Sequence, residues 1–428
     1  MNVGGANEHF QLDRRVPGAG ECGGMKLKIE HLGRFGDGIA KGPVIVPLAL
    51  PGEEVEGEIV SGRMAAPRIL TPSPNRVRPP CSHFKSCGGC QMQHVNDETI
   101  GEWKRQILRN ALDAQGLTAD ILPMQVSAPR TRRRASLSAR RSKKGVIIGF
   151  HARASGVIIP ISDCHLLHPD LVATLPALGE LTRAGATRRQ EMTFAITRTL
   201  QGTDVSASGG RALEQDLRAE LAALAARHGL ARLVWDDDLV AELTKPFLRF
   251  GRTLVAPPPG VFLQATEEGE RALVLAVSET VSGCEKIADL FSGCGTFSLP
   301  LAERASVHAV EQDAEMLKAL DSGWRQLPGL KHVSTEARDL FRRPLLPDEL
   351  AGFDAVVIDP PRAGAEAQTK ILARSRVPVI AAVSCNPVTF ARDARILVDA
   401  GYHLDQIRPV DQFRWSPHLE LTARFTLS

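Results

Sequence analysis

The chain has 428 residues, too many for one ordinary hydrophobic core, so two or three domains are expected. With 43% hydrophobic and 24% charged residues it has soluble-globular composition, and no apolar run reaches the roughly eighteen residues of a membrane-spanning helix. A net charge of +3 permits an anionic partner without demanding one, and 5% aromatic content means that nucleic-acid contacts would lean on arginine more than on stacking rings.

The segment 1–24 holds Asp13, Arg14 and Arg15 among glycines and lacks the apolar stretch of a signal peptide, so it reads as a flexible tail. A cytoplasmic, reducing location is expected, in which Cys22, Cys81, Cys87, Cys90, Cys164, Cys284, Cys294 and Cys385 do not form a disulfide framework. Residues 25–72 read as short strands parted by glycine turns, from MKLKIEHLG to PGEEVEGEIV, which suits a small barrel or another small all-β domain. TPSPNRVRPP follows as an extended connection.

Residues 73–255 read as a central α+β domain. Within it NDETIGEWKRQILRNALDAQG is a helix capped by Asn96 or Asp97, with an apolar stripe of Trp103, Ile107, Leu108 and Leu112. RALEQDLRAELAALAARHG is a further helix and LARLVW a strand. The last domain, 256–428, alternates strands such as CEKIADLF, SVHAVE, FDAVVID and VPVIAAVS with helical segments, the rhythm of a parallel βαβ sheet.

In ADLFSGCGTFSLPLA, Gly293 and Gly295 fall where a strand passes into a helix and let the backbone approach a ligand. Asp289 lies at that strand's end, in reach of an ammonium or a water, and Glu311 ends the next strand at the spacing of a ribose-binding acid. The same turn would also simply close a helix against the sheet. It lacks the third glycine of a dinucleotide fingerprint and the lysine of a P-loop, so a nucleoside ligand without pyrophosphate, such as S-adenosylmethionine, fits best. VIDPPR places Asp359 at another strand end, where open sheets bind ligands or make rigid turns.

Cys385 follows the strand VPVIAAVS and precedes an Asn-Pro turn. A lone cysteine is most often a small buried hydrophobe, but here it shares a sheet edge with the cofactor turn. Methylation of uracil C5 needs a thiolate at C6 and a base for the C5 proton. Glu420 in PHLELTARF offers the base, with His418 two residues earlier on the same strand face, although an isolated Glu usually just meets solvent.

Cys81, Cys87 and Cys90 form C-x5-C-x2-C, and Cys164 is a fourth thiol much later in the chain. Four thiolates hold zinc or a [4Fe–4S] cluster, and His83, His94 and His165 leave mixed ligation open. Reduced structural cysteines are the bland alternative. Arg132, Arg133, Arg134, Arg140, Arg141, Lys143 and Lys144 form a basic segment able to grip phosphates or to be a solvated face. Phe413 and Trp415 are candidates to stack on an extruded base or to pack in the core.

Together, PPCSHFKSCGGCQMQH, DLFSGCGTFSLPLA, DPPRAG, SCNPVTFARD and the terminal HLE resemble the bacterial RNA uracil-C5 methyltransferases, in particular the branch acting on 23S ribosomal RNA, over roughly residues 25–426. The resemblance implies an α/β protein with an N-terminal OB-like TRAM barrel, a central α+β domain with a [4Fe–4S] cluster on Cys81, Cys87, Cys90 and Cys164, and a C-terminal Rossmann-like methyltransferase domain. It implies that Gln264, Phe291, Glu311 and Asp359 bind S-adenosylmethionine, that Cys385 is the nucleophile and that Glu420 is the base. It also implies 23S ribosomal RNA as partner, with a monomer the default. The rivals are the same reaction on transfer RNA and a non-catalytic RNA-binding or ribosome-assembly protein. The chain departs from the family at Thr266 and Thr296, where Asn is usual, at MLKALDSGW, and at DQFRWSPHLE.

Overall fold

The computed structural model describes residues 24–143, 145–188 and 190–427. The expected flexible tail up to residue 23, with Cys22, and Lys144 of the basic segment lie outside the described residues. The chain forms two compact units, 24–33 with 37–74 and 34–36 with 75–427.

The first unit is an antiparallel sheet in which Met25–Leu32 lies between Gly38–Ala40 and Glu54–Gly57, with Val44–Val46 and Arg68–Thr71 at the edges. Alternation puts Val44 and Val46 inward, with Ile45 exposed, on a core of Ile29, Ala40, Val55 and Met64. The buried Glu53 carboxylate is satisfied by the Leu50 and Ser73 N–H groups, at 2.8 and 3.0 Å.

The second unit holds two large sheets. One is seven-stranded, in the order Ile158–Pro160, Gly145–His151, Arg134–Ser142, Glu191–Thr199, Gly202–Ser208, Arg232–Trp235, Asp238–Glu242. Helices Leu175–Gly185 and Gln215–Arg227 bring Leu178, Leu181 and Leu221 onto Phe194, Ile196 and Trp235. Gly185 must lack a side chain, because a Cβ there would come within 2.2 Å of the Trp235 ring.

The other sheet is nine-stranded. Its main order is Val333–Ala337, Ser306–Glu311, Lys286–Leu290, Ala355–Ile358, Val379–Ser384, Glu420–Leu427, Tyr402–Asp411, Asp120–Ile121. The first five of these are parallel, and Glu420–Leu427 runs antiparallel to both of its neighbours. Strand residues alternate between two cores, as a doubly covered sheet requires: Ala288, Val356 and Ile358 face helices Asp97–Asp113, Glu366–Ser375 and Pro387–Asp399, while Ile287, Ala355 and Val357 face Glu267–Thr280 and Ala314–Gln326. Among the described residues no helix is long and apolar enough to cross a membrane.

The expected boundary at residue 255 does not hold for 97–126. Asn96 caps helix Asp97–Asp113 by accepting from the Thr99 N–H at 2.9 Å, and Leu108, Ala111 and Leu112 pack on the nine-stranded sheet. Asp120–Ile121 and Gln125–Val126 then pair with Tyr402–Asp411. The apolar stripe marks a helix but carries no signal for which sheet it covers.

Lys104 on this helix is wholly buried. Its Nζ lies 2.7 Å from Asp411 Oδ2 and donates to the Phe413 carbonyl at 3.3 Å. Burial pushes its pKa down, and the Asp411 charge opposes that shift. Lys104→Met strands the Asp411 charge in the core and should cost about 3–5 kcal/mol, whereas Lys104→Met with Asp411→Leu should lose markedly less. Urea unfolding checks this, and equal losses would show that the ion pair is not the cause.

Candidate active site

The parallel strand order reverses at Lys286–Leu290, which has Ser306–Glu311 on one side and Ala355–Ile358 on the other. Such a reversal opens a crevice beyond the carboxyl ends of the strands. Phe291, Glu311 and Asp359 all sit at that rim. Phe291 adopts a left-handed φ of 63°, a conformation costly for a bulky residue, and its ring lies 5.4 Å from that of Phe341. Gly295 has φ 93°, and a Cβ there would crowd Leu320 at 2.9 Å.

Two acids lie here, Asp289 buried beneath the rim and Asp359 half-buried at it. Asp289 is pushed up to about 7 by burial, although Ser298 Oγ donates to its Oδ2 at 2.5 Å; its Oδ1 has no partner. Asp359 is likewise pushed up to about 7, by burial and then by the charge of Asp289. Gln264, 2% exposed, donates through Nε2 to Asp359 Oδ2 at 3.2 Å. The Glu311 carboxylate accepts from the N–H groups of Gly293 at 3.1 Å and Gln312 at 2.7 Å, which fixes its orientation beside the glycine turn.

Register brings Cys385 and Glu420 together. Ser384 pairs with Leu421 across the antiparallel strands, so the residue after the one stands beside the residue before the other. Asn386 caps helix Pro387–Asp399 by accepting from the Val388 N–H at 3.2 Å, and its Nδ2 donates to the Arg362 carbonyl at 3.0 Å. Cys385 is pushed up to about 12, first by burial, then by the charges of Glu420 and Asp359, with Arg362 opposing. Glu420 is 2% exposed rather than a solvated surface acid. Burial and Asp359 raise its pKa well above the ordinary value, while the Gln412 amide, Arg134 and Arg362 lower it. Its Oε2 has no hydrogen-bond partner. His418 Nδ1 lies 3.2 Å from Arg362 Nη2, and burial with nearby positive charge pushes the ring down to about 4, so it is neutral at pH 7.

The loop before Glu420 is tied to the cysteine segment. The Gln91 and Met92 N–H groups donate to the Trp415 carbonyl at 2.8 and 3.0 Å, and Trp415 has φ 59°. Trp415 is buried and is therefore a packing residue rather than a stacking platform; Phe413 is half-buried, 5.7 Å from the His418 ring.

Cys81, Cys87, Cys90 and Cys164 line one cavity of about 250 Å³, with Arg132, Phe84, Phe150 and Ile161, and all four are free thiols. Cys90 is pushed up to about 12, chiefly by burial, with the charges of Cys164, Cys87 and Cys81 adding to it. Among the described residues no group of three or more His, Cys, Asp or Glu is arranged to hold a metal ion.

The basic segment divides in three dimensions. Arg133 points inward, pairing with Glu270 and donating through Nε to the Gln264 carbonyl at 3.0 Å. Arg140 pairs with Glu191 at 2.9 Å, and Arg141 donates to the Arg183 carbonyl at 3.0 Å. Arg134 lies over the exposed Phe262 ring at 4.5 Å and acts electrostatically on Glu420. Sequence reading gave no role to Gln412, Arg362 or Phe262. Arg362 was within reach, as the charge closing VIDPPR; Gln412 carried no signal until its burial was seen.

Comparison with known proteins agrees with this geometry. A family model described as tRNA (Uracil-5-)-methyltransferase matches residues 332–425. An uncharacterized RNA methyltransferase of Brucella suis is 44% identical over 404 residues, spanning 94% of this chain and 97% of that protein. The 23S rRNA (uracil(1939)-C(5))-methyltransferase of Chromohalobacter salexigens is 34% identical, spanning 92% and 87%. Among solved structures, the Pyrococcus abyssi tRNA (uracil-54, C5)-methyltransferase in complex with S-adenosyl-L-homocysteine is 26% identical, with a TM-score of 0.74 over 94% of this chain and 99% of that one. Likeness over nearly the whole length, joined to a crevice whose rim carries a cysteine beside a buried glutamate, places the chain in the RNA uracil-C5 methyltransferase family.

Proposed function

We propose that the chain transfers a methyl group from S-adenosylmethionine to C5 of a uridine in 23S ribosomal RNA, in the cytoplasm, with Cys385 as nucleophile and Glu420 as base. The observation that carries this reading is the strand register that stands Cys385 beside Glu420 at the edge of the crevice. The Cys385 thiolate adds to C6, and the electron pair moves to C5. C5 attacks the sulfonium methyl, and S-adenosylhomocysteine leaves. Glu420 then takes the C5 proton, the C6–S bond breaks, and the thiolate departs. Arg362 favours the thiolate, and so does the position of Cys385 just ahead of a helix N-terminus. Gln264, Phe291, Glu311 and Asp359 are the proposed cofactor contacts, with Glu311 at the ribose. Ribosomal rather than transfer RNA is favoured by the 34% identity to the 23S enzyme, against 26% to the transfer-RNA enzyme.

Cys81, Cys87, Cys90 and Cys164 are proposed to hold a [4Fe–4S] cluster, because four free thiols share one cavity. Bound there, it would supply a rigid anchor for the loop that donates to Trp415. The small N-terminal sheet is proposed as a TRAM-type RNA-binding module.

Unmodified 23S RNA and transfer RNA, each with labelled S-adenosylmethionine, should give 5-methyluridine only in the 23S RNA. Cys385→Ala should abolish it, and Glu420→Gln should accumulate a protein–RNA adduct. Product in transfer RNA alone would overturn the substrate, and a fully active Cys385→Ala the mechanism.

Asp289 and Asp359 ionise near 7, and a cationic cofactor favours their charged forms. Binding therefore releases protons, and S-adenosylmethionine should bind about tenfold more tightly at pH 8 than at pH 6. Calorimetry should show this dependence weakened in Asp289→Asn; equal affinities at both pH values in the wild type would refute it.

Protein purified without oxygen should contain iron and acid-labile sulfide. Cys90→Ser should lower both and reduce the melting temperature; iron-free protein of unchanged stability would remove the cluster.

A further inference from the structure

We propose that Arg392 and Asp393 are positioning residues for the nucleophile: from helix Pro387–Asp399 they grip the backbone of loop 359–365 and so hold the Arg362 guanidinium beside Cys385. This deepens the reading of Cys385 as the nucleophile and rests on it.

The grip is legible in the motif SCNPVTFARD. Asn386, Thr389, Arg392 and Asp393 recur at intervals of three and four, which puts them on one side of the helix that Asn386 caps. That side meets the loop following strand Ala355–Ile358. Asn386 Nδ2 donates to the Arg362 carbonyl at 3.0 Å. Thr389 Oγ1 lies 3.1 Å from the same carbonyl and 3.2 Å from that of Asn386, so its one proton is shared. Arg392 Nη2 donates to the Ala363 carbonyl at 3.1 Å, and Asp393 Oδ2 accepts from the Ala365 N–H at 2.8 Å. Arg392 and Asp393 are joined to each other, Nε donating to Oδ1 at 2.8 Å. The close approach requires Gly364. Its φ is 76°, and a Cβ there would stand 2.6 Å from both Arg392 Nη2 and Asp393 Oδ2.

Arg362 is the residue this grip serves. Pro361, Arg362 and Ala363 are exposed, and a loose arginine there would be screened by water. Instead Arg362 is anchored at both ends. Its carbonyl is tied to Asn386, the residue after Cys385, and its Nη2 donates to His418 Nδ1 at 3.2 Å. His418 lies two residues before Glu420, which strand register stands beside Cys385. The guanidinium is thus fixed between residues that flank the thiol. The charged groups facing Cys385 are two acids, Glu420 and Asp359, and the Arg362 cation. Burial and the acids favour the thiol, and Arg362 opposes them. Release of the loop would let Arg362 turn into solvent and leave Cys385 facing the acids.

The test is alkylation of Cys385 by iodoacetamide across pH, in the full chain without cofactor or RNA, with the modified peptide followed by mass spectrometry. Alkylation runs through the thiolate, so its rate reports the thiolate fraction. Asp393→Ala should slow it about tenfold at a given pH, with the wild-type rate regained about one pH unit higher. Asp393→Asn, which keeps an acceptor for the Ala365 N–H, should stay within about threefold of wild type. Loss of the Asp393 charge or mere loosening of the loop would instead speed alkylation, so the direction separates positioning from packing. In an Arg362→Met background Asp393→Ala should change the rate by less than about twofold, because its effect runs through Arg362. If Asp393→Ala fails to fold, Arg392→Leu, which frees the Ala363 carbonyl, should slow alkylation in the same direction. An unchanged or faster rate in the variant that folds, or an undiminished loss in the Arg362→Met background, would overturn the proposal. Cys385→Ala in the methylation assay separates the two failures: activity there removes the nucleophile and this inference with it, whereas an inactive Cys385→Ala beside unchanged alkylation in Asp393→Ala removes the grip alone.

Discussion

The site depends on one strand entering the sheet in reverse. Glu420–Leu427 lies between Val379–Ser384 and Tyr402–Asp411 and is antiparallel to both. An antiparallel strand begins where its parallel neighbours end. Its first residue, Glu420, therefore reaches the rim that already carries Phe291, Asp359 and Cys385. A parallel strand in that slot would put its first residue at the opposite edge of the sheet. The hairpin connection also brings Gln412 to the same rim from the outer strand.

Gathering acids at this rim has an electrostatic cost. Asp289 and Glu420 are buried and Asp359 is half-buried, and each holds its proton more tightly than usual. The fold offsets this with donors of fixed direction. Ser298 serves Asp289 and Gln264 serves Asp359, while Arg134 and Arg362 supply positive charge near Glu420. A cationic cofactor belongs in such a setting, because it favours the ionised acids that burial alone disfavours. Burial and the same acids push the Cys385 thiol up as well.

The loop between Asp411 and Glu420 is held at two points by segments far away in sequence. Lys104 pairs with Asp411, and Gln91 and Met92 donate to the Trp415 carbonyl. The cysteine segment and the helix after it thereby form part of the support for Glu420.

Local signals in the sequence determined much of this protein. The βαβ rhythm, the GCGT turn, the Asn96 cap, the acids at strand ends and the cysteine with its Asn-Pro turn were legible because each is set by residues close together in the chain. The reaction was legible too, through motifs that resemble a known family. Tertiary structure alone decided the partners. Only strand register stands Cys385 beside Glu420, only packing sends helix Asp97–Asp113 to the last sheet, and only burial turns Arg133 and Trp415 from RNA candidates into core residues. Gln412 is the sharpest case. In sequence it is one polar residue in an altered motif, and its meaning comes from two backbone amides almost 150 residues away that dictate which way its side chain faces.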